Sequence, residues 1–126
     1  MSEIKTVNTE KAPAAIGPYS QAKIIGDLVF CSGQIPINPA SGEVEAEDVV
    51  GQTKQVIANV DALLSAAGSS VDKVIKTTCF LADMGDFATF NEIYGEYFTS
   101  KPARSAVAVK TLPKNVLVEI EVIASL

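Results

Sequence analysis

Residues 116–124 read VLVEIEVIA, and the regular alternation of this stretch decides the fold. In an extended strand one face would carry Val116, Val118, Ile120, Val122 and Ala124, which are all apolar. The other face would carry Leu117, Glu119, Glu121 and Ile123, two carboxylates among two large apolar side chains. We therefore predict a strand with one face in a core and a second face that is too apolar to be simply solvated.

A second strand is predicted just before this stretch, at 103–110, and the connection between them contains Leu-Pro-Lys-Asn. We expect the two strands to pair as a C-terminal hairpin. Counting outward from Pro113 then places Arg104 near Glu121, with Glu119 diagonal to it, on the face away from the core. Because small and apolar residues surround these charges, we expect another subunit to cover that face.

The rest of the chain supplies four more strands and two helices. The strands are predicted at 4–7, 20–25, 28–33 and 74–81, with a tight hairpin at Gly26-Asp27, and 34–42 is predicted to be a loop. The helices are predicted at 48–67, capped by Asp48 and Gly68, and at 86–99, with a stripe of Phe87, Phe90, Tyr94 and Tyr97. We expect one α+β domain over residues 1–126.

Composition excludes several classes of function. Lys and Arg number 10 against 15 Asp and Glu, so the net charge is −5 and nucleic acid is not an expected partner. The chain has no His, which excludes Ser-His-Asp and Cys-His catalysis and imidazole metal sites. No apolar run is long enough to span a membrane. Cys31 and Cys79 are expected to be buried thiols, as in a cytoplasmic protein.

Two charged residues are the strongest candidates for chemistry. Arg104 could grip a substrate carboxylate with its guanidinium fork, or it could form a cross-strand ion pair with Glu121 or Glu119. Without His, acid–base work falls to a carboxylate, Lys, Tyr or Cys. Glu119 is then a candidate acid–base group in a partly desolvated position, or else a structural partner of Arg104.

Four further residues are weaker candidates. Tyr19 follows Gly17-Pro18 and could form an aromatic wall with a hydroxyl, or only pack against the hairpin. Ser32 and Gly33 could offer a hydroxyl and a close backbone N–H, or Gly33 could only permit a turn. Asn91 is polar within an aromatic stripe and could serve a site or be an exposed helix residue.

Seven stretches in this order resemble the Rid family, also called the YjgF family. They are 14–21 (AAIGPYSQ), 31–36 (CSGQIP), 76–81 (KTTCFL), 87–91 (FATFN), 102–105 (PARS), 112–113 (LP) and 118–121 (VEIE). The resemblance implies a chorismate-mutase-like α+β fold, with a six-stranded mixed sheet packed by two helices on one face. It also implies a homotrimer with a barrel-like centre and sites in the clefts between subunits.

The resemblance also implies an activity. Members of the archetypal subgroup hydrolyse reactive enamine and imine acids released by pyridoxal-phosphate enzymes, typically 2-aminoacrylate and 2-aminocrotonate. The products are 2-oxo acids and ammonia, and no metal or organic cofactor is used. A non-catalytic protein that binds small 2-oxo acids is the alternative. Ribonuclease and chaperone roles are known for some relatives, and a role on RNA is not favoured here, because the chain is acidic and lacks a basic aromatic stripe.

The resemblance gives each candidate a role. Arg104 matches the arginine that binds the substrate carboxylate, and Glu119 matches the glutamate that positions the attacking water. Tyr19 and Ser32 match residues that shape the catalytic site. Substrate binding would also involve three other positions: Gly33 and Ala106, which offer backbone groups, and Asn91, which lies close to the site. The chain departs from many members at Ala106, where they have Cys, and at Ala108, where Glu is common.

Overall fold

The computed structural model describes residues 3–126, so the predicted domain of 1–126 extends two residues beyond them. Within these described residues the chain forms eight strands and two long helices. The strands are β1 (Ile4–Val7), β2 (Ala22–Ile25), β3 (Leu28–Cys31), β4 (Ile37–Asn38), β5 (Glu43–Val44), β6 (Val74–Leu81), β7 (Ala103–Ala108) and β8 (Val118–Ser125). The helices are α1 (Val49–Ala67) and α2 (Phe87–Tyr97).

Six of the strands form one sheet in the order β1-β2-β3-β8-β6-β7. All neighbours are antiparallel except β6 and β7, which are parallel. Both helices pack on the same face of this sheet and share a single apolar core with it. The predicted α+β fold, a six-stranded mixed sheet with two helices on one face, is confirmed. Strand β4 lies within the segment 34–42 that was predicted to be a loop, and it pairs with β5, which follows directly after that segment.

Helix α1 begins and ends where the sequence predicts. The Asp48 carboxylate accepts a hydrogen bond from the Gly51 N–H at 2.8 Å, which satisfies a free backbone donor of the first turn. Gly68 ends the helix with φ of 87°, a left-handed conformation that a side chain would strain. One face of α1 is buried against the sheet, with Val56, Val60 and Leu63 at its centre.

The predicted apolar stripe of α2 is only partly correct. Phe90 and Tyr94 are buried, but Tyr97 is 46 % exposed. The chain leaves the helix at Phe98, which is buried and stacks on the Tyr94 ring with 4.4 Å between centroids. Phe98 therefore takes the place in the core that the helical spacing assigned to Tyr97.

The predicted hairpin of the last two strands is wrong. Strand β6 lies between β7 and β8, pairing in parallel with β7 and antiparallel with β8. The chain crosses the end of β6 after β7, where the Val109 N–H donates to the Leu81 carbonyl at 2.9 Å. An interior strand needs partners along both edges for its backbone groups, and this arrangement supplies them to β6.

The inserted strand changes which face carries Arg104. Thr77 is opposite both Arg104 and Val122, and Thr77 is completely buried on the helix side. Arg104 therefore lies on the helix face at the edge of the sheet, whereas Glu119, opposite Phe80, lies on the other face. The expected cluster of Arg104, Glu119 and Glu121 on one face does not exist within this chain.

The face opposite the helices, called the open face below, carries exposed apolar side chains. Phe30 is 41 % exposed on β3, and Val107 is 45 % exposed on β7. Cover of this face by another subunit stays a prediction. Neither helix in the described range 3–126 is long and apolar enough to cross a membrane.

Both cysteines are free and buried, as predicted. Burial raises the pKa of the Cys31 thiol to about 12 and that of the Cys79 thiol to about 11. Neither sulfur is therefore a thiolate near neutral pH.

Candidate functional site

Arg104 is held by side chains of helix α2. Its Nη1 donates a hydrogen bond to Asn91 Oδ1 at 2.6 Å. The guanidinium carbon lies 4.7 Å from the centre of the Tyr94 ring and 5.4 Å from that of Phe87. Residues 87, 91 and 94 are spaced so that they share one stripe of a helix, and this stripe faces the edge strand β7. The helical spacing predicted both aromatic residues to lie in the core stripe and gave no indication of their contact with Arg104.

A cavity of about 730 Å³ lies beside Arg104. It is lined by Asn91, Tyr94, Gly95, Phe98, Thr99, Lys101, Pro102 and Arg104. The recorded partner of the guanidinium is a neutral amide, so its positive charge is not neutralised by the contact. The alternative of an ion pair with Glu119 or Glu121 in the same chain is wrong, because those carboxylates lie on the open face. The guanidinium and its cavity together suit a small anion.

Glu119 packs directly over Gly33 on the open face. A Cβ built on Gly33 would lie only 2.9 Å from the carboxyl carbon of Glu119, so any side chain at this position would force the Glu119 carboxyl to move. Gly33 is held there by its neighbour Gln34, whose N–H donates to the Ile120 carbonyl at 2.8 Å. The close approach leaves the Gly33 backbone beside the carboxylate, where the resemblance expects a backbone group.

The environment of Glu119 favours its protonated form. Burial is the main cause that raises the pKa of this carboxyl, and the negative charge of Glu121 on the same strand face raises it further. Arg104, which would lower the pKa if it lay alongside, is on the other face. Glu119 is therefore a carboxyl whose proton affinity suits acid–base work better than that of an exposed glutamate.

Tyr19 and Ser32 lie on the same side of the molecule as Gly33. Tyr19 is exposed, its hydroxyl accepts a hydrogen bond from the Ile16 N–H at 3.3 Å, and it lines a cavity of about 330 Å³ together with Gly33 and Pro113. The Ser32 hydroxyl donates to the Ser20 carbonyl at 2.6 Å, so its proton is already engaged. This bond ties the loop that carries Tyr19 to the end of β3.

Ala106 lies on the helix face of β7, where it packs against the core. Strand β7 is an edge of the sheet, so one row of its backbone N–H and C=O groups has no partner strand. The backbone N–H and C=O groups of Ala106 therefore lie on the same edge strand as Arg104, two residues further along.

The candidate residues form two groups rather than one. Arg104, Asn91 and Ala106 belong to the α2–β7 side, whereas Glu119, Gly33, Ser32 and Tyr19 belong to the open face and its rim. Hydrolysis of a small anionic substrate would require a cation to bind the anion and a carboxyl group to transfer protons. The first group contains such a cation, Arg104, and the second contains such a carboxyl, Glu119.

Comparisons with known proteins agree with this fold. The profile of the family described as Endoribonuclease L-PSP matches residues 9–126. The 2-iminobutanoate/2-iminopropanoate deaminase of Escherichia coli K12 is 52 % identical over 124 residues, covering 95 % of this chain and 96 % of the relative.

Two solved structures show the same fold at substantial sequence identity. The Rid-family protein YyfA from Yersinia pestis superposes with a TM-score of 0.95 at 47 % identity, covering 98 % of this chain and 100 % of that one. E. coli TdcF, solved with bound serine, gives a TM-score of 0.92 at 48 % identity, covering 97 % and 98 %. The chain is a member of the Rid family, which also carries the names YjgF and L-PSP.

Proposed function

We propose that this protein is a deaminase that hydrolyses small 2-imino acids, and their 2-enamino tautomers, to 2-oxo acids and ammonia. Substrates of this kind are 2-aminoacrylate and 2-aminocrotonate, each a small planar anion. The observation that carries the proposal is the Arg104 guanidinium, which is bound to a neutral amide and lies beside a cavity. The deaminase name of the E. coli relative supports the same reaction.

The proposed site is shared between subunits of a homotrimer. Arg104 and Glu119 point to opposite faces of one chain, so a single substrate meets both only if they come from two chains. The exposed apolar side chains Phe30 and Val107 on the open face, and the unpaired edge of β7, are surfaces that a neighbouring subunit would cover.

The proposed reaction needs no strong nucleophile, because the imine carbon is already electrophilic. The Arg104 fork holds the substrate carboxylate, and the Glu119 carboxylate of the neighbouring subunit takes a proton as water oxygen bonds to the imine carbon. The protonated Glu119 then returns that proton to the nitrogen. The carbon–nitrogen bond of the resulting carbinolamine breaks as the hydroxyl proton passes through the Glu119 carboxylate to the nitrogen, so that ammonia leaves and the carbonyl of the 2-oxo acid forms.

The remaining candidates have supporting parts in the proposal. Tyr19 and Ser32 shape the Glu119 side of the site, and the Gly33 and Ala106 backbones offer polar groups to the substrate. Asn91 fixes one nitrogen of Arg104. We place the reaction in the cytoplasm, beside the pyridoxal-phosphate enzymes that would release such imines.

A competition assay tests the activity. Serine or threonine dehydratase generates the enamine and imine in the presence of semicarbazide, which traps the imine as a semicarbazone. A deaminase slows semicarbazone formation, and we expect this protein to do so in proportion to its concentration. Arg104→Ala is the matched control and should not compete with the trap. Binding of 2-oxobutanoate without any effect on trapping would instead support the non-catalytic, ligand-binding alternative.

Mixed trimers test whether the site spans two chains. Arg104→Ala and Glu119→Gln subunits are each expected to form inactive trimers. In trimers assembled at random from both, about a quarter of the sites would combine an intact Arg104 with an intact Glu119. We expect co-expression to restore roughly that fraction of activity, and light scattering to give three times the mass of one chain. No recovery from trimers shown to be mixed would contradict the shared site.

The family description names an endoribonuclease, and this activity can be tested directly. The net charge of −5 is unfavourable for binding a phosphate backbone. We expect no RNA cleavage by protein purified to constant specific deaminase activity. Cleavage that disappears in Arg104→Ala would show that the same site acts on RNA and would contradict the proposed specificity.

A further inference from the structure

The three side chains that contact the Arg104 guanidinium are all uncharged. Its guanidinium meets the ring faces of Tyr94 and Phe87 and the amide oxygen of Asn91. An arginine that serves structure alone is commonly paired with a carboxylate, which neutralises it. In this protein the contacts fix the position of the Arg104 guanidinium and leave its positive charge free to attract an anion.

Tyr94 is itself fixed from two sides. Its hydroxyl shares a buried hydrogen bond of 2.7 Å with Thr77 Oγ1 on β6, and its ring stacks on Phe98. Thr77 is also the residue opposite Arg104 in the sheet. The ring, the strand and the guanidinium therefore form one rigid unit, with the cavity on its outer side.

We infer that Tyr94 is a positioning residue for substrate recognition: its ring face and the neutral amide of Asn91 hold the Arg104 guanidinium towards the cavity without neutralising it. This inference rests on the proposed function for its substrate, a small 2-imino carboxylate. The aromatic face is the essential part of Tyr94, because it attracts the cation through the ring quadrupole. The hydroxyl only anchors the ring to Thr77.

The first experiment separates the ring from the hydroxyl. KM and kcat for the imine, and Kd for 2-oxobutanoate, are measured in Tyr94→Leu, Tyr94→Phe and the control Tyr97→Leu, which alters the exposed tyrosine of the same helix. We expect Tyr94→Leu to raise KM and Kd about tenfold, with kcat changed less, which is the size of one cation–π contact. Tyr94→Phe should restore both values to within about threefold of the wild type, and Tyr97→Leu should match the wild type.

Two results would overturn the role of the ring. One is Tyr94→Phe binding as weakly as Tyr94→Leu; the other is Tyr94→Leu lowering kcat while KM and Kd stay unchanged. If Tyr94→Leu does not fold, Phe87→Leu removes the second ring at a half-buried position. That variant should raise Kd less than tenfold but measurably, and an unchanged Kd would count against the inference.

The second experiment tests the neutrality of the contact. Asn91→Ala and Asn91→Asp both remove the amide bond to Arg104, but only the second adds a charge that neutralises it. We expect Asn91→Asp to bind 2-oxobutanoate at least about fivefold more weakly than Asn91→Ala. Equal or tighter binding by Asn91→Asp would show that neutrality is not what matters.

The binding measurements keep this inference separate from the proposed function. A wild-type protein without deaminase activity would refute the proposed reaction. Weaker 2-oxobutanoate binding in Tyr94→Leu, rescued in Tyr94→Phe, would still establish the positioning role. Conversely, an active enzyme whose Kd is insensitive to Tyr94 would retain the proposed reaction and lose the inference.

Discussion

Arg104 and Glu119 stand on opposite faces of one sheet, with strand β6 between the strands that carry them. The hydrogen-bond register settles this relationship, since Arg104 is level with buried Thr77 and Glu119 is level with Phe80. Two residues with complementary chemical roles are thereby kept from forming an ion pair within their own chain. The guanidinium keeps its charge, and the carboxyl keeps a high affinity for protons.

Removal of the cation should abolish useful turnover. Hydrogen bonds to charged groups contribute about 1.5–3 kcal/mol each, so loss of a two-pronged carboxylate contact predicts a fall of at least about 100-fold in kcat/KM for Arg104→Ala. Arg104→Lys keeps the charge but not the fork and should lie between this variant and the wild type. Steady-state kinetics with 2-aminoacrylate measure both, and wild-type rates in Arg104→Ala would disprove the assignment.

Loss of the carboxylate should affect chemistry rather than binding. General acid–base groups typically contribute 10²–10⁴-fold, so we expect Glu119→Gln to lower kcat by about 100-fold or more. Its Kd for 2-oxobutanoate should stay within about threefold of the wild type, as calorimetry can measure. Normal turnover would mean that the water is activated elsewhere.

The charge of Glu121 should set part of the pH dependence. Glu119 acts as a base only when ionised, so kcat/KM should fall as pH drops through its raised pKa. Glu121→Gln removes one of the two causes that raise this pKa, and the acid limb of the profile should therefore move to lower pH. Glu43→Gln, an exposed carboxyl on β5, is the control. An acid limb of the pH profile that does not move, or that moves to higher pH, would argue against the charge of Glu121 as a cause of the raised pKa of Glu119.

The same carboxyl should cost stability when it is ionised. Its pKa is higher in the folded chain than in an unfolded one, so the folded state binds the proton more tightly, and stability falls as pH rises through the folded pKa. Glu119→Gln mimics the protonated form and should melt at a higher temperature than the wild type at about pH 8. The difference should vanish below about pH 3, where the wild-type carboxyl is protonated in both the folded and the unfolded state. Calorimetry over this range that shows Glu119→Gln equally or less stable at pH 8 would refute the expectation.

A single methyl group at Gly33 should disturb Glu119. The added Cβ would meet the carboxyl group at closer than contact distance, so the side chain must move away from the Gly33 backbone. We expect Gly33→Ala to lose up to about 1 kcal/mol of stability, because the colliding group is the end of a flexible side chain, and most of its turnover. In a Glu119→Ala background the same substitution should cost little, because the colliding group is absent. Equal losses in both backgrounds, measured by urea unfolding, would exclude the predicted collision.

Local patterns in the sequence predicted the strands and helices well, but they predicted poorly which strands pair with each other. The alternation of β8 and the caps of α1 are fixed by nearby residues, and both were confirmed. The pairing of β7 depends on where β6 enters the sheet, and the alternation of residues 103–110 is compatible with either neighbour. Pairing of β7 with β6 instead of β8 places Arg104 on the other face of the sheet. This one error in strand pairing explains why the residues predicted to form one cluster lie in two groups.

Residue types pointed to the candidate site more clearly than the predicted arrangement of the residues did. Arg104 and Glu119 stand out as charges in apolar strands, and the structure gives each an environment suited to a reaction. Tyr94 could not be distinguished from a core aromatic by spacing alone, because the same helical stripe reaches both the core and Arg104. The contact between Tyr94 and Arg104 could have been inferred from the polar Asn91, which lies one turn away on a stripe that is otherwise aromatic.

The burial of Cys31 and Cys79 has a consequence for the deaminase reaction proposed above. The imine carbon of such a substrate is electrophilic, and a thiolate beside it would add to that carbon in place of water. With both sulfurs inside the core and protonated, the protein offers no such nucleophile from these two positions. Neither sulfur can then compete with water for the imine carbon of the proposed substrate.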